Sequence, residues 1–186
     1  MTGGGPPRRA VLALLGLGSG LGRAWAQDTP PRLRIGDRLP DLLLKTTQGE
    51  PVRLGALRGR VLIVNFFAAY CGPCRTELPL LSELTARLAA EARDGSPGPL
   101  LLPIGVDELP ADSARFAKSL GVTAAVLSDG AGEARRMFDP QRYPCTFLID
   151  AAGVVRRINR GFGPGYPARM ERWLRELLAL APAPRP

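Results

Sequence analysis

Two cysteines separated by Gly-Pro are the residues of this chain whose types and spacing most directly suggest chemistry. Cys71 and Cys74 lie where an apolar, β-branched run meets a predicted helix. Two intervening residues at a helix start allow a disulfide, which needs Cα atoms about 5.5 Å apart. The N–H groups and dipole of a helix N-terminus stabilise a thiolate, so we expect a lowered pKa for Cys71. The pattern predicts a redox dithiol in which Cys71 attacks a substrate disulfide and Cys74 resolves the mixed disulfide.

A purely structural role fits the pair less well. A disulfide across so short a loop removes little entropy from the unfolded chain. A zinc site needs two further ligands, and a chain with three cysteines and no histidine would have to recruit carboxylates. The absence of histidine also excludes His general bases, Cys-His proteases and C-x-x-C-H haem attachment. The sequence therefore predicts no metal ligand and no cofactor.

Strands and helices alternate around the dithiol. The run Val61–Phe67 is almost wholly apolar, as expected of a strand covered on both faces, and a helix over about 73–93 follows it. This order indicates an α/β protein with one mixed sheet covered by helices. The other predicted elements are a hairpin (Leu42–Lys45, Val52–Leu54), a strand (Leu100–Val106), a helix (Asp112–Leu120), a short strand and helix (Ala124–Leu127, Ala131–Phe138), a hairpin (Cys145–Asp150, Val154–Ile158) and a helix over about 167–180 whose apolar stripe is Met170, Trp173, Leu174, Leu177 and Leu178.

The composition is that of one globular domain. The chain has 186 residues, of which 45% are hydrophobic and 23% charged, enough for a single domain of roughly 150 residues. Its formal net charge of +8 comes mainly from arginines scattered along the chain. Because no clustered basic stripe or known motif is present, we expect no nucleic-acid binding. A monomer is expected.

The N-terminal region has the pattern of an export signal. Arg8 and Arg9 precede a short apolar stretch, Ala10–Leu21, and the small-x-small sequence Ala24-Trp25-Ala26 follows it. We predict a signal peptide over 1–26 (Sec or Tat), a flexible lead-in over 27–35, a domain over 36–180 and a disordered tail over 181–186. An uncleaved membrane anchor is the alternative. Export would place the domain in the periplasm, where disulfides persist.

Two motifs resemble those of the TlpA/ResA-like periplasmic thiol–disulfide oxidoreductases, within the thioredoxin superfamily. The first is NFFAAYCGPCRTELP (Asn65–Pro79), and the second is YPCTFLID (Tyr143–Asp150), followed by Gly153. The resemblance covers about residues 36–180. It implies a thioredoxin-like fold, namely a central mixed β-sheet flanked by helices, with an N-terminal β-hairpin and a βα insertion.

The resemblance also implies roles for individual residues. Pro144 is expected to be the family's cis-proline, which turns the backbone edge of Tyr143 toward a substrate strand. Gly72 and Pro73 are expected to contact substrate beside it. Glu77 matches a glutamate often found in the ResA-like branch and is expected to titrate near the dithiol. The alternative is that Glu77 caps or solvates the first helical turn.

Some positions depart from the family pattern. Phe67 and Tyr70 stand where Trp is usual, and Cys145 stands where Thr is usual. Asn65 occupies the position at which thioredoxins proper place a buried acid, and an amide cannot transfer a proton. Cys145 is expected to be either a small buried residue or a third thiol that forms an alternative disulfide or completes a soft Cu(I) site.

The resemblance implies an exported oxidoreductase that acts on protein disulfides. The Gly-Pro dipeptide resembles the reducing thioredoxin type, which favours a reductant. Family substrates of this kind include apocytochromes c and copper-site assembly proteins, and the electron donor is commonly a membrane thiol carrier. One alternative is a Cu(I)-binding chaperone using Cys71, Cys74 and Cys145. Another is a thiol peroxidase, against which the lack of Pro and Thr ahead of Cys71 argues.

Overall fold

A mixed sheet with helices on both faces forms the described part of the chain. The computed structural model describes residues 1–2, 32–92 and 96–181. The strands are Leu43–Thr46 (β1), Pro51–Arg53 (β2), Leu62–Phe67 (β3), Leu100–Gly105 (β4), Leu127–Ser128 (β5), Cys145–Ile149 (β6) and Val155–Arg160 (β7). The helices are Cys74–Ala90 (α1), Pro110–Ser119 (α2), Glu133–Phe138 (α3) and Tyr166–Ala179 (α4), with a short 3-10 helix at Leu54–Leu57.

The sheet has the strand order β2-β1-β5-β4-β3-β6-β7. β3 pairs in parallel with β4 and antiparallel with β6, which places it inside the sheet. Helices cover both faces there, and all six residues of β3 are buried. The N-terminal hairpin β1–β2 joins the sheet through β5. β5 and α3 form the βα unit inserted between α2 and β6. The thioredoxin-like fold is therefore confirmed, with its hairpin and its insertion.

Two apolar clusters hold the helices on the sheet. Because side chains alternate along a strand, Ile63 contributes to one face of β3 and Phe66 to the other. On the second face the Phe66, Phe138 and Phe147 rings meet with centroids 5.1–6.0 Å apart. Between α1, α4 and the first face the buried members are Leu81, Leu84, Leu88, Met170, Leu174 and Leu177, together with Ile63 and Leu148.

The predicted elements are found with small shifts. β5 covers Leu127–Ser128 rather than Ala124–Leu127, because these two residues form the ladder pairs with β1 and β4. In the α4 stripe Trp173 is only partly buried. Its ring lies at the edge of the apolar cluster, where the guanidinium groups of Arg157 and Arg169 cover it at 5.9 and 5.7 Å from the ring centroid. No helix among the described residues has the length and apolarity needed to cross a membrane.

Packing onto the domain begins before residue 36. Leu33 is buried, and its N–H donates to the Met137 carbonyl at 2.9 Å. Arg32 forms an ion pair with Asp139. The end of the lead-in expected over 27–35 therefore contacts the domain. The predicted signal peptide, apart from Met1 and Thr2, lies outside the described residues, as do residues 27–31 and 182–186.

Gly105 offers a test of how closely α2 must approach the sheet below it. A Cβ on Gly105 would overlap the Cβ and Oγ of Ser113 on α2. We expect Gly105→Ala to lower the free energy of unfolding by about 1–3 kcal/mol, because a packed interface cannot absorb the extra methyl group. Urea unfolding measures this. Gly163→Ala is the control, since a Cβ there meets nothing within 4 Å, and equal losses in both variants would contradict the packing.

Candidate active site

A disulfide joins Cys71 and Cys74 at the N-terminus of α1. Their Cα atoms are 5.3 Å apart. β3 ends four residues before Cys71, inside the sheet. The Cys71 N–H donates a hydrogen bond to the Ala68 carbonyl at 3.0 Å. The backbone N–H of Cys74 points at the Cys71 sulfur, 3.3 Å away. Once the bond is reduced, this donor would stabilise negative charge on Cys71.

The two sulfur atoms differ in access. Cys71 is 7% exposed, whereas Cys74 is fully buried. Gly72 and Pro73, between them, are exposed, and the ring of Tyr70 is 77% exposed. A partner that approaches the helix end therefore meets Cys71 first, over a surface made by these residues.

The second motif reaches the same end of the sheet. Its Tyr143–Pro144 peptide bond is cis, as the resemblance implied. Pro144 is buried directly before β6, whose first residue pairs with Phe66 of β3. The Pro144 carbonyl accepts a hydrogen bond from the Gly161 N–H at 2.7 Å. Tyr143 is half-buried, and burial raises the pKa of its phenol.

Asp107 fixes the loop that precedes the dithiol. Its carboxylate accepts the Ala69 N–H at 3.1 and 3.2 Å and the Ser113 hydroxyl at 2.6 Å. Asp107 follows the C-terminal end of β4, so it ties this loop to both the sheet and α2. Sequence analysis did not single it out. The sequence does contain a signal for Asp107. It is an acid that follows a buried strand, and because that strand is parallel to β3, the acid must lie at the dithiol end of the sheet.

Glu77 lies on α1 one turn beyond Cys74 and is completely buried. Its Oε2 accepts the Asn65 Nδ2–H at 2.9 Å, and its Oε1 accepts the Thr146 hydroxyl at 3.0 Å. Asn65 and Thr146 face each other across β3 and β6, and Asn65 Nδ2 also donates to Thr146 Oγ1 at 2.9 Å. Because Glu77 is buried and its carboxyl accepts hydrogen bonds from the Asn65 and Thr146 side chains, it neither caps nor solvates the first turn of α1.

Burial and hydrogen bonding oppose each other at Glu77. Burial disfavours the carboxylate and raises the pKa of Glu77 above its ordinary value, while hydrogen bonds from Tyr166, Asn65 and Thr146 lower it. The net direction is upward. Positions i and i+3 of a helix are neighbours, so Glu77 and Cys74 lie on the same side of α1, one turn apart. A carboxyl with a raised pKa next to a buried thiol is suited to exchanging a proton with it.

Cys145 is a free, buried cysteine at the start of β6. Burial raises the pKa of its thiol to about 12, and the Glu77 charge acts in the same direction. The side chain belongs to the apolar cluster that includes Phe66 and Phe138 and also the Cys71–Cys74 pair. Asn65 and Thr146 contact Glu77 of α1 instead. Strand alternation thus puts neighbouring Cys145 and Thr146 on opposite faces.

Comparison with known proteins assigns this arrangement to a family. Residues 35–158 of the 186 match the AhpC/TSA family. The chain belongs to the AhpC/TSA family.

Three similar proteins show which branch of the AhpC/TSA family this chain resembles. Thiol-disulfide oxidoreductase ResA of Geobacillus thermodenitrificans is 29% identical over 127 residues, or 68% of this chain and 70% of the relative. A solved structure named as the thiol:disulfide interchange protein DsbE of Chlorobium tepidum superposes with a TM-score of 0.70 at 28% identity, covering 78% of this chain and 99% of that one. Another, named as a protein disulfide isomerase of Bacteroides thetaiotaomicron, gives 0.67 at 30% identity, with 79% and 91% covered. The TlpA/ResA-like resemblance is confirmed, and this AhpC/TSA-family protein is a thiol–disulfide oxidoreductase of the ResA/DsbE type.

The burial of Cys145 leads to a prediction for thiol counting. A thiol pKa of about 12 leaves roughly one molecule in ten thousand ionised at pH 8. In the oxidised native protein we therefore expect a thiol reagent such as DTNB to detect no cysteine, and to detect one after denaturation. Cys145→Ser should remove that signal and serves as the control. Rapid modification of Cys145 in the native state would contradict the burial.

Proposed function

We propose that the protein is an exported reductant of protein disulfides that works through the Cys71–Cys74 pair. One observation carries this proposal: the more exposed cysteine, Cys71, lies at a helix N-terminus with an N–H directed at its sulfur, while Cys74 lies one helical turn from the buried Glu77. The first arrangement favours a nucleophilic thiolate, and the second supplies a proton acceptor for the resolving thiol. The Gly-Pro dipeptide between the cysteines resembles that of reducing thioredoxins.

In the proposed reaction the reduced enzyme transfers two electrons to a substrate disulfide. The Cys71 thiolate attacks one substrate sulfur, a mixed disulfide forms, and the departing substrate thiolate takes a proton from solvent. The Cys74 thiol gives its proton to the Glu77 carboxylate, and its sulfur attacks Cys71. The second substrate thiolate leaves and takes a proton from solvent, and Glu77 returns its proton to solvent. The enzyme ends with the Cys71–Cys74 disulfide, which a dithiol donor must reduce before the next cycle.

The substrate is proposed to lie across the surface between the dithiol and Tyr143. Among the described residues the N–H and C=O of Tyr143 take part in no backbone hydrogen bond. They are available to an extended segment that adds to this edge in the manner of a β-strand. Gly72 and Pro73 are exposed beside it and would contact the residues next to the substrate cysteine. These contacts involve backbone more than side chains, which suits a reductant of several proteins.

The export pattern of the N-terminal sequence supports work outside the cytoplasm. In the periplasm disulfides form and persist, so a reductant there needs electrons from the membrane side. We propose a membrane thiol carrier as the donor, with cytochrome c maturation or copper-site assembly proteins as the substrate class. An N-terminal anchor in place of a cleaved signal would give the same placement.

A Cu(I) chaperone is the other candidate from the sequence. It would require Cys71, Cys74 and Cys145 to converge on one ion. Within residues 32–92 and 96–181, no three His, Cys, Asp or Glu side chains are grouped so as to hold a metal. Nothing in the structure therefore favours it over the redox function.

Replacing the resolving cysteine tests the proposal. In Cys74→Ser the Cys71 thiolate can attack but the mixed disulfide cannot be resolved, so substrates should stay covalently attached. We expect adducts in the exported fraction that appear on non-reducing gels and disappear with dithiothreitol. Mass spectrometry of the released proteins would then identify the substrate class.

The matched control is Cys71→Ser, which keeps the fold but lacks the outer nucleophile. It should yield no adducts. If Cys74→Ser also yields none although it is folded, or if both variants yield the same adducts, the assignment of Cys71 as the attacking residue is wrong.

A further inference from the structure

Tyr166 reaches the Glu77 cluster from a fourth element. It is the first residue of α4, between Gly165 and Pro167, and its side chain is completely buried. The ring packs on Phe162 with centroids 4.9 Å apart. The hydroxyl lies 3.5 Å from Thr146 Oγ1 and interacts with the Glu77 carboxyl. No local sequence pattern marks this tyrosine, because its partners are far away in sequence.

The hydrogen-bond donors of the Glu77 cluster determine the role of the Tyr166 hydroxyl. Both N–H groups of the Asn65 amide are used, on Glu77 and on Thr146, and the Thr146 hydroxyl is used on Glu77. A buried tyrosine hydroxyl needs a partner. Its hydrogen-bond partner is the Thr146 oxygen, 3.5 Å away, and because the single hydrogen of the Thr146 hydroxyl is used on Glu77, Tyr166 is the donor in this contact.

The cluster as a whole is arranged for an ionised carboxyl. Its donors converge on Glu77 and on Thr146, while the Asn65 Oδ1 atom is buried without a hydrogen-bond partner among the described residues. A protonated Glu77 would instead need an acceptor for its own O–H. The Asn65 amide turns its nitrogen, not its oxygen, toward the carboxyl, so Asn65 offers a protonated Glu77 no acceptor.

We infer that Tyr166 is a positioning residue: its hydroxyl donates to Thr146, keeps the Thr146 hydroxyl directed at Glu77, and thereby favours the ionised form of that carboxyl, oriented to receive the proton of Cys74. This inference rests on the proposed role of Glu77 in disulfide exchange. Tyr166 itself touches neither the substrate nor the disulfide in this scheme. It acts by opposing the burial that disfavours the carboxylate.

The other groups around Glu77 cannot replace this donor. Asn65 and Thr146 do not titrate and already donate. Burial keeps the Cys145 thiol neutral, with Arg160 acting on it in the opposite direction. Arg169 of α4 lies over the Tyr166 ring, 5.8 Å from its centroid, and acts on the tyrosine. Burial and the Glu77 charge raise the pKa of Tyr166, so its hydroxyl remains a donor at physiological pH.

Tyr166→Phe removes the hydroxyl and keeps the ring. Without this donor the pKa of Glu77 should rise by about one unit, since a hydroxyl that favours the ionised form of the carboxyl is lost. The carboxylate is the proton acceptor, so the acid limb of the rate of disulfide reduction should move to higher pH by the same amount. The unfolding midpoint of the oxidised variant establishes that it is folded.

Glu77→Gln supplies the matched background. In a protein that already carries Glu77→Gln, adding Tyr166→Phe should not move the acid limb further, because the group on which the hydroxyl acts is gone. An unmoved limb in the single variant, or an equal shift in both backgrounds, would overturn the inference.

A second measurement separates this inference from the proposed function. The side-chain carbon of Glu77 can be titrated by 13C NMR in the oxidised protein, where no exchange is needed. The same upward shift is expected on Tyr166→Phe. If the wild-type protein does not reduce disulfides, the proposed function is wrong. The titration then still tests whether Tyr166 lowers the pKa of Glu77. An unchanged Glu77 titration would overturn its role.

Discussion

The contact between the Cys71 sulfur and the N-terminus of α1 is the interaction on which the rest of the structure depends. It requires a helix that starts at Cys74 and a strand that ends just before the dithiol, so that the Cys74 N–H can reach the outer sulfur at 3.3 Å. β3 meets this requirement because it is paired on both sides and buried throughout. Asp107 completes the support by binding the backbone of the intervening loop.

The inner side of the dithiol depends on a buried carboxyl held by neutral donors. An ionised Glu77 in an apolar interior is costly, and hydrogen bonds from three other elements offset that cost. β3, β6 and α4 contribute one residue each: Asn65, Thr146 and Tyr166. Below this cluster apolar side chains pack α1 and α4 on the sheet, with Leu81 one turn from Glu77 and Met170 one turn from Tyr166. The packing of α1 and α4 thereby fixes the polar cluster at the dithiol end.

The sequence predicted the features that depend on local pattern, and the fold class followed from them. The apolar run of β3, the periodic stripes of α1 and α4 and the Cys-Gly-Pro-Cys motif each act within one element. The cluster around Glu77 could not be predicted in this way, because Thr146 and Tyr166 reach it only through strand pairing and helix docking. For Cys145 the sequence left two interpretations, and strand alternation places it among apolar side chains.

Titration of Cys71 in the reduced protein tests the central claim most directly. The rate of alkylation by iodoacetamide, resolved by mass spectrometry for each cysteine, gives the thiolate fraction as a function of pH. The account predicts an apparent pKa for Cys71 clearly below the value of about 8.5 for free cysteine. A Cys71 that ionises at or above that value would show that the helix N-terminus does not activate it, and would contradict the account.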